Sequence, residues 1–169
     1  MMTTHTTQSS PSSKPTVAGR LDHWTVAPAV MQGMLDLQKI VDSSGLDHGL
    51  QLLVVLRVSQ INGCAFCMNM HSTDAKAHGE TGQRLNLLAA WHETNLFTAR
   101  ERAALHWAEV LTRLSSGHVS DADFAIVRTE FSEPEVVNLT LAIATINAWN
   151  RFGVGFRPPI ETAKQPFGK

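Results

Sequence analysis

Excess charge of either sign is missing from this 169-residue sequence: 14 Lys and Arg stand against 15 Asp and Glu, a formal net charge of -1. That balance gives no electrostatic case for nucleic acid or an anionic membrane as a partner. No apolar run reaches the roughly 18 residues that a membrane span requires. The N-terminus has no basic segment leading into an apolar one, so no secretory signal is expected and a reducing cytoplasm is the expected compartment. Gly-rich phosphate loops and strand–turn–strand patterns are absent as well. Cysteine is scarce, with only Cys64 and Cys67. A bridge between them would close too short a loop to staple a fold. In a reducing compartment such a pair points to metal binding or redox chemistry before scaffolding.

What is present is helical periodicity. The first sixteen residues, rich in Ser, Thr and Pro, cannot bury enough surface to offset their ordering entropy and are expected to form a flexible tail, with His5 in it. One helical domain is expected over residues 17–157. Pro28 suits a first helical turn, and Val30, Met31, Met34, Leu35, Leu37, Ile40 and Val41 form a stripe that Gly45 can end. Asp47 can cap a second helix through "LQLLVVLRVSQI", closing at Asn62-Gly63. The run "LLVVL" alone would pass for a buried strand, but its flanks and neighbours favour helix. A third helix carries Cys64 to His78, with Gly79 as its stop, and "TGQRLNLLAAWHE" gives a short fourth. Three capping boxes, Thr98 with Glu101, Ser120 with Asp123 and Ser132 with Glu135, open three more. The last helix is apolar around most of its circumference and belongs in a core or a subunit interface. It is expected to give out near Gly153, with residues 158–169 trailing as a tail. The fold class is therefore all-α, a bundle of six to seven helices.

The chemistry concentrates in "NGCAFCMNMHSTD". At about 100° per residue, Cys67 lies at about -60° and His71 at about -20° from Cys64, so all three share one stripe and the imidazole can approach Cys67. Asn62-Gly63 makes a turn just ahead, which places the cysteines where unpaired N–H groups and the helix dipole favour a thiolate. A thiol near pKa 8.5 is a few per cent ionised at pH 7, and lowering it to about 7 raises that to roughly half. A nearby His is the residue type that can accept the proton near neutrality. A c-type haem site would need His after Cys67 and has Met68. A structural zinc site wants four ligands, and this stretch offers three, with His78 two turns on. A thioredoxin-like dithiol lacks βαβ surroundings. Two inert buried thiols beside a core His are the plain alternative. Phase, turn and base together favour a redox-active dithiol.

The stretch "LRVSQINGCAFCMNMHSTDAKAHGETGQRLNLLAAWHE", with "TARERAALHWAEVLTRL" and "IATINAWNRFGVGFR" downstream, resembles the alkylhydroperoxidase AhpD-like branch of the carboxymuconolactone decarboxylase family over about residues 25 to 157. The resemblance implies an all-helical subunit that assembles into homotrimers or homohexamers. It also implies a peroxidase-type dithiol in which Cys67 attacks a peroxide, Cys64 resolves the sulfenic acid as a disulfide, and His71 relays protons. No metal, haem or flavin cofactor is implied, and the expected partners are a peroxide and an external dithiol reductant. Decarboxylases of the wider family lack the cysteine pair; lactone or decarboxylation chemistry, or a non-catalytic scaffold, are the alternative functions. The sequence departs from the family in one place. The relay's usual glutamate falls at Leu52, with Gln51 beside it, and a leucine can neither orient His71 nor raise its basicity. Asp74, one turn past His71, is a geometric substitute, and Glu80 and Glu109 are further carboxylates. Phe66 stands where relatives can carry a histidine. His48, His92, His106 and His118 are scattered. Trp91, Trp107 and Trp149 are expected as core anchors, and Asn147 and Asn150 as packed helix residues.

Overall fold

A computed structural model describes residues 18–160. The N-terminal tail expected over residues 1–16 and the end of the expected C-terminal tail, from residue 161, lie outside the described residues.

Local capping chemistry sets the element boundaries. Asp22 accepts from the backbone N–H groups of Trp24 and Thr25 and so starts α1, His23–Val26, a single turn that hydrophobic periodicity had not marked. Pro28 opens α2, Pro28–Asp42. Asp47 accepts from Leu50 N–H at 2.8 Å and starts α3, His48–Asn62. Gly63, at φ +66°, ends α3 in the left-handed conformation that glycine adopts without a Cβ penalty. The chain then enters α4, Ala65–Ala77, and α5, Gly82–Leu87, which tightens into a 3₁₀ turn over Leu88–Glu93. Thr98 with Glu101 and Ser120 with Asp123 form complete capping boxes at α6, Ala99–Thr112, and α7, Asp121–Glu130. At α8, Glu133–Phe156, the Glu135 carboxylate accepts from both the backbone N–H and the hydroxyl of Ser132, each at 2.8 Å. The described residues thus hold eight α-helices and no strand. Seven follow the sequence reading, and the eighth is the Asp22-capped turn.

The end of α8 departs from expectation. The helix continues through Gly153 to Phe156, and the N-terminal side of the domain lies along it. Arg20 N–H donates to Phe156 O at 2.9 Å and its guanidinium to Gly155 O at 3.2 Å. Pro158 and Pro159 fold back beside Gly19 and Arg20. A pairing with residues 135 positions away was invisible to local periodicity.

Helix α3 is the spine. Leu50, Val54 and Val58 join a core with Met31, Ala104, Trp107, Leu139 and Ile143. Leu52, Leu53 and Leu56 join a second core with Ala75, Leu88, Trp91 and Leu105. One helix therefore buries both faces, packed by α4, α6 and α8. Its polar side chains must find partners inside the protein. Arg57 donates to Glu109 of α6 at 2.7 Å, and both are buried. Glu109 also accepts from Trp91 Nε1 at 2.9 Å and from Arg113 at 2.7 Å. Burial alone would push the Glu109 carboxyl up, but the hydrogen bonds from Trp91, Arg57 and Arg113 outweigh it and hold it below the usual carboxylate range.

Removing the carboxylate strands a buried guanidinium, so Glu109→Ala is expected to lower unfolding free energy by about 3–5 kcal/mol, read from urea denaturation midpoints. A depressed carboxyl pKa contributes stability above the unfolded-state pKa of about 4.3 and loses it as pH falls through the folded value. The gap between wild type and Glu109→Ala should therefore narrow below about pH 4.

Candidate active site

The turn at Gly63 delivers Cys64 as the N-cap of α4, outside the helix proper at φ -83°, ψ 94°. From there its sulfur accepts from Cys67 N–H at 3.4 Å, the bond a Ser or Asp makes at this position. Cys64 N–H is tied to Ser59 O at 3.0 Å, so the last turn of α3 fixes the cysteine from below. Both sulfur-bearing residues are buried, at 1% and 3% exposure, which by itself opposes ionisation. Hydrogen bonding from the Cys67 thiol, then from Cys67 N–H, the Asn150 side chain and Phe66 N–H, brings Cys64 down to about 7. Cys67 is pushed up, first by its hydrogen bond to Cys64, then by burial and by the adjacent charge. When the pair ionises, the charge rests on Cys64, with the remaining proton shared between the two sulfurs.

His71 behaves differently from the helical-stripe expectation. It lies on α4 and is buried, yet among the described residues it hydrogen-bonds neither sulfur, and its Nε2 is buried without a partner. Burial holds the imidazole down to about 4, so it is neutral at physiological pH and contributes no positive charge to the dithiol. It faces a cavity of about 390 Å³ that it shares with His48, Gln51, Leu52, Asp74 and His78. His48 and His78 meet edge to face there, with ring centroids 4.9 Å apart. Leu52 belongs to the second core and Gln51 is spent on Leu46 O at 3.1 Å, so neither serves as the missing acid. Glu80 pairs with Arg84 at 2.8 Å, and Glu109 is committed to Arg57 and Arg113. Asp74 and Asp42 are the carboxylates that share the imidazole's cavity, and Asp74 lies on the same helix as His71.

Cys67 opens on another space. A cleft of about 680 Å³ is lined by Cys67, Phe66 and Met70 of α4, by Ile146, Trp149 and Phe152 of α8, and by the Gly19–Trp24 segment. Ile146 and Trp149 line both cavities and so stand between the thiols' side and the imidazole's side. His23 is part of this wall, buried and stacked on Phe156 at 5.2 Å. Nothing in the sequence had marked it, since it lies outside every periodic stripe.

Helix α8 supplies what the sequence reading missed. A Cβ on Gly153 would meet Cys64 Sγ at 2.5 Å and Cys67 Sγ at 3.3 Å, so the bare backbone of α8 closes directly over the dithiol. One turn earlier, Asn150 is fully buried, and its side chain is among the groups that lower both thiols' pKa values. A polar pair, Asn147 and Asn150, inside an otherwise apolar helix was the available signal. The tryptophans are core anchors as expected: Trp91 bonds Glu109, Trp107 bonds Thr140 at 2.9 Å and Trp149 bonds Gln38 at 3.2 Å.

The carboxymuconolactone decarboxylase family model matches residues 28–110, from the start of α2 into α6. The uncharacterized protein YdfG of Bacillus subtilis (strain 168) is 39% identical over 135 residues, which cover 80% of this chain and 92% of YdfG. Among solved structures, a protein of unknown function from Agrobacterium tumefaciens, suggested to be the antioxidant defence protein AhpD, superposes with a TM-score of 0.81 at 38% identity over 83% of this chain and 96% of its own. The debrominase Bmp8, solved with 2,3,4-tribromopyrrole, reaches a TM-score of 0.73 at 20% identity over 82% of this chain and 75% of its own, a likeness of fold. With nearly the whole Agrobacterium protein aligned at that identity, and the family model running through the dithiol helix, the chain belongs to the carboxymuconolactone decarboxylase family, among its AhpD-like members.

Proposed function

We propose that the protein is a dithiol peroxidase of the alkylhydroperoxidase kind, an oxidoreductase that reduces a peroxide at the expense of Cys64 and Cys67. The observation that carries this reading is the dithiol itself: two buried cysteines joined by the Cys67 N–H to Cys64 Sγ hydrogen bond, with the pair's first ionisation brought down to about 7, one of them on the wall of an open cleft.

The resemblance gives the attack to Cys67, whereas hydrogen bonding rests the charge on Cys64. Proton exchange within the pair reconciles the two. When the shared proton sits on Cys64, Cys67 is the thiolate and faces the cleft. Its sulfur attacks one peroxide oxygen, the O–O bond breaks, and the departing alkoxide takes a proton and leaves as alcohol. Cys67 is then a sulfenic acid. The Cys64 sulfur attacks it, a disulfide forms and water leaves. Two thiols and one peroxide thus give one disulfide, one alcohol and one water. An external dithiol returns the two electrons by thiol–disulfide exchange. The apolar lining of the cleft, with Phe66, Met70, Trp149 and Phe152, suits a peroxide with a hydrocarbon body. His71, with Asp74 on the same cavity wall, is assigned the exchange of protons with solvent. The exposed Val30, Ile40 and Val137 are the proposed subunit contacts of a homotrimer or homohexamer.

A stoichiometric pulse of cumene hydroperoxide should lower the intact mass by two hydrogens, and Cys67→Ser should abolish both the mass loss and peroxide consumption. Consumption by Cys67→Ser at the wild-type rate would overturn the assignment. The thiolate fraction rises as pH rises through about 7, so initial rates should climb along a single ascending limb with that midpoint. His71, already neutral above about 4, adds no second limb between pH 5 and 9. Leu52→Glu should place a carboxylate in the His71 cavity and raise the imidazole pKa by about one unit or more, measured by NMR titration of the ring. An unmoved resonance would show that position 52 cannot supply the relay's acid.

A further inference from the structure

We infer that Asn150 of α8 is a catalytic residue: its side-chain amide donates to the sulfurs and holds the dithiol's negative charge, at a site where the sequence pattern had offered only His71, as a proton acceptor. The inference rests on the dithiol reading above and goes beyond it by naming the group that makes the thiolate.

The amide has one workable orientation. Asn62 Nδ2 donates to Asn150 Oδ1 at 2.8 Å and to Asn147 Oδ1 at 2.9 Å. Asn150 Nδ2 donates to Ser59 Oγ at 3.1 Å. Ser59 has spent its own proton on Val55 O at 2.7 Å, so its oxygen can only accept from Asn150. Asn147 is fixed in turn, since its Nδ2 donates to Thr112 Oγ1 at 3.1 Å and to Ile143 O at 2.9 Å. Turning the Asn150 amide over would set its NH₂ against the Asn62 NH₂ and its oxygen against an oxygen with no proton left. The network therefore fixes which end is the donor. One N–H of Nδ2 goes to Ser59, and the second is left over on the stretch of α8 that Gly153 sets against both sulfurs.

Distance and burial make that donor count. Gly153, one turn along the same face of α8, leaves no room even for a methyl group between helix and Cys64 Sγ. Asn150 is 1% exposed, as is Cys64, so water does not compete for the bond and the local dielectric strengthens it. The neutral His71 has no hydrogen bond to either sulfur. The donors that face the charge are thus the Asn150 amide, the N–H groups of Cys67 and Phe66 in the first turn of α4, and the Cys67 thiol.

The test is the pH dependence of alkylation by iodoacetamide in the full chain, which reads thiolate without any peroxide. Wild type should show a midpoint near 7. Asn150→Leu, of similar volume and without donors, should raise the midpoint by about one unit, a tenfold loss of thiolate at lower pH. His71→Ala should leave it in place. An unmoved midpoint in folded Asn150→Leu, or an equal rise in His71→Ala, would overturn the inference. If Asn150→Leu fails to fold, Ser59→Ala and Asn62→Ala free the amide from one side each and should each raise the midpoint by a smaller step. No rise in either would be equally fatal. A wild type that alkylates with the expected midpoint but consumes no peroxide removes the peroxidase reading and leaves the role of Asn150 standing.

Discussion

The rest of the molecule is arranged around the burial of α3 on all sides. Its apolar residues divide between two cores, so no face remains to carry polar groups into water. Gln51, Arg57 and Ser59 must be satisfied within the protein, and each partner fixes a neighbouring element. Gln51 holds the turn before the helix through Leu46 O. Arg57 reaches Glu109 and so sets α6 and the 3₁₀ turn that carries Trp91. Ser59 and, at the helix end, Asn62 take hold of Asn150 and set α8. The ion pair is no large source of net stability, because desolvation offsets most of its attraction. It acts on arrangement: a shift of α6 along α3 would leave a charge buried and alone.

The same constraint builds the dithiol site. Once Asn150 is bound to the last turn of α3, α8 lies so close to the chain leaving that turn that Gly153 faces the sulfur of Cys64 with no side chain between. Burial of this depth raises a thiol's pKa when it acts alone. Here it also excludes water from every hydrogen bond made to the sulfur, and those bonds prevail at Cys64. Two thiols in one such space cannot both ionise, which is why depression of one accompanies elevation of the other. The burial that makes the pair protein-like in its packing is therefore also what makes it a single, proton-sharing unit.

Legibility in the sequence followed the range of the interaction. Thr98 with Glu101 and Ser120 with Asp123 speak within one turn, and both boxes formed as read. Helix α3 was legible because its length exceeded that of a strand, although "LLVVL" alone was ambiguous. The 100° rule misjudged the dithiol for a definable reason. Cys64 is an N-cap with ψ 94°, outside the helix, so its direction does not follow from helical phase, and a shared stripe did not bring His71 to either sulfur. Asn150, Gly153 and His23 were beyond reach in a different sense. Each matters through a partner at least 86 residues away or through the opposite end of the domain. A single local window can mark Asn150 as a polar residue in a largely apolar helix, but it cannot name the distant partner.

The partition between the two cavities bears on the departure at Leu52. An acid at that position would face the 390 Å³ cavity with His71, on the other side of Ile146 and Trp149 from the cleft that Cys67 lines. A carboxylate–imidazole couple there tunes a base, and a base is needed to draw the thiol proton away when nothing else stabilises the thiolate. With the role inferred for Asn150, the thiolate is stabilised from α8 and from the first turn of α4, and the neighbouring sulfur can carry the proton. The demand for a strong base is thereby reduced at the step where the relay would matter most. Leucine at 52 then serves the second core, together with Leu53 and Leu56, where a carboxylate would have had to be desolvated. On the role inferred for Asn150, an amide on α8 stands in for the acid: charge at the dithiol is held by fixed dipoles, not drawn out by a tuned imidazole.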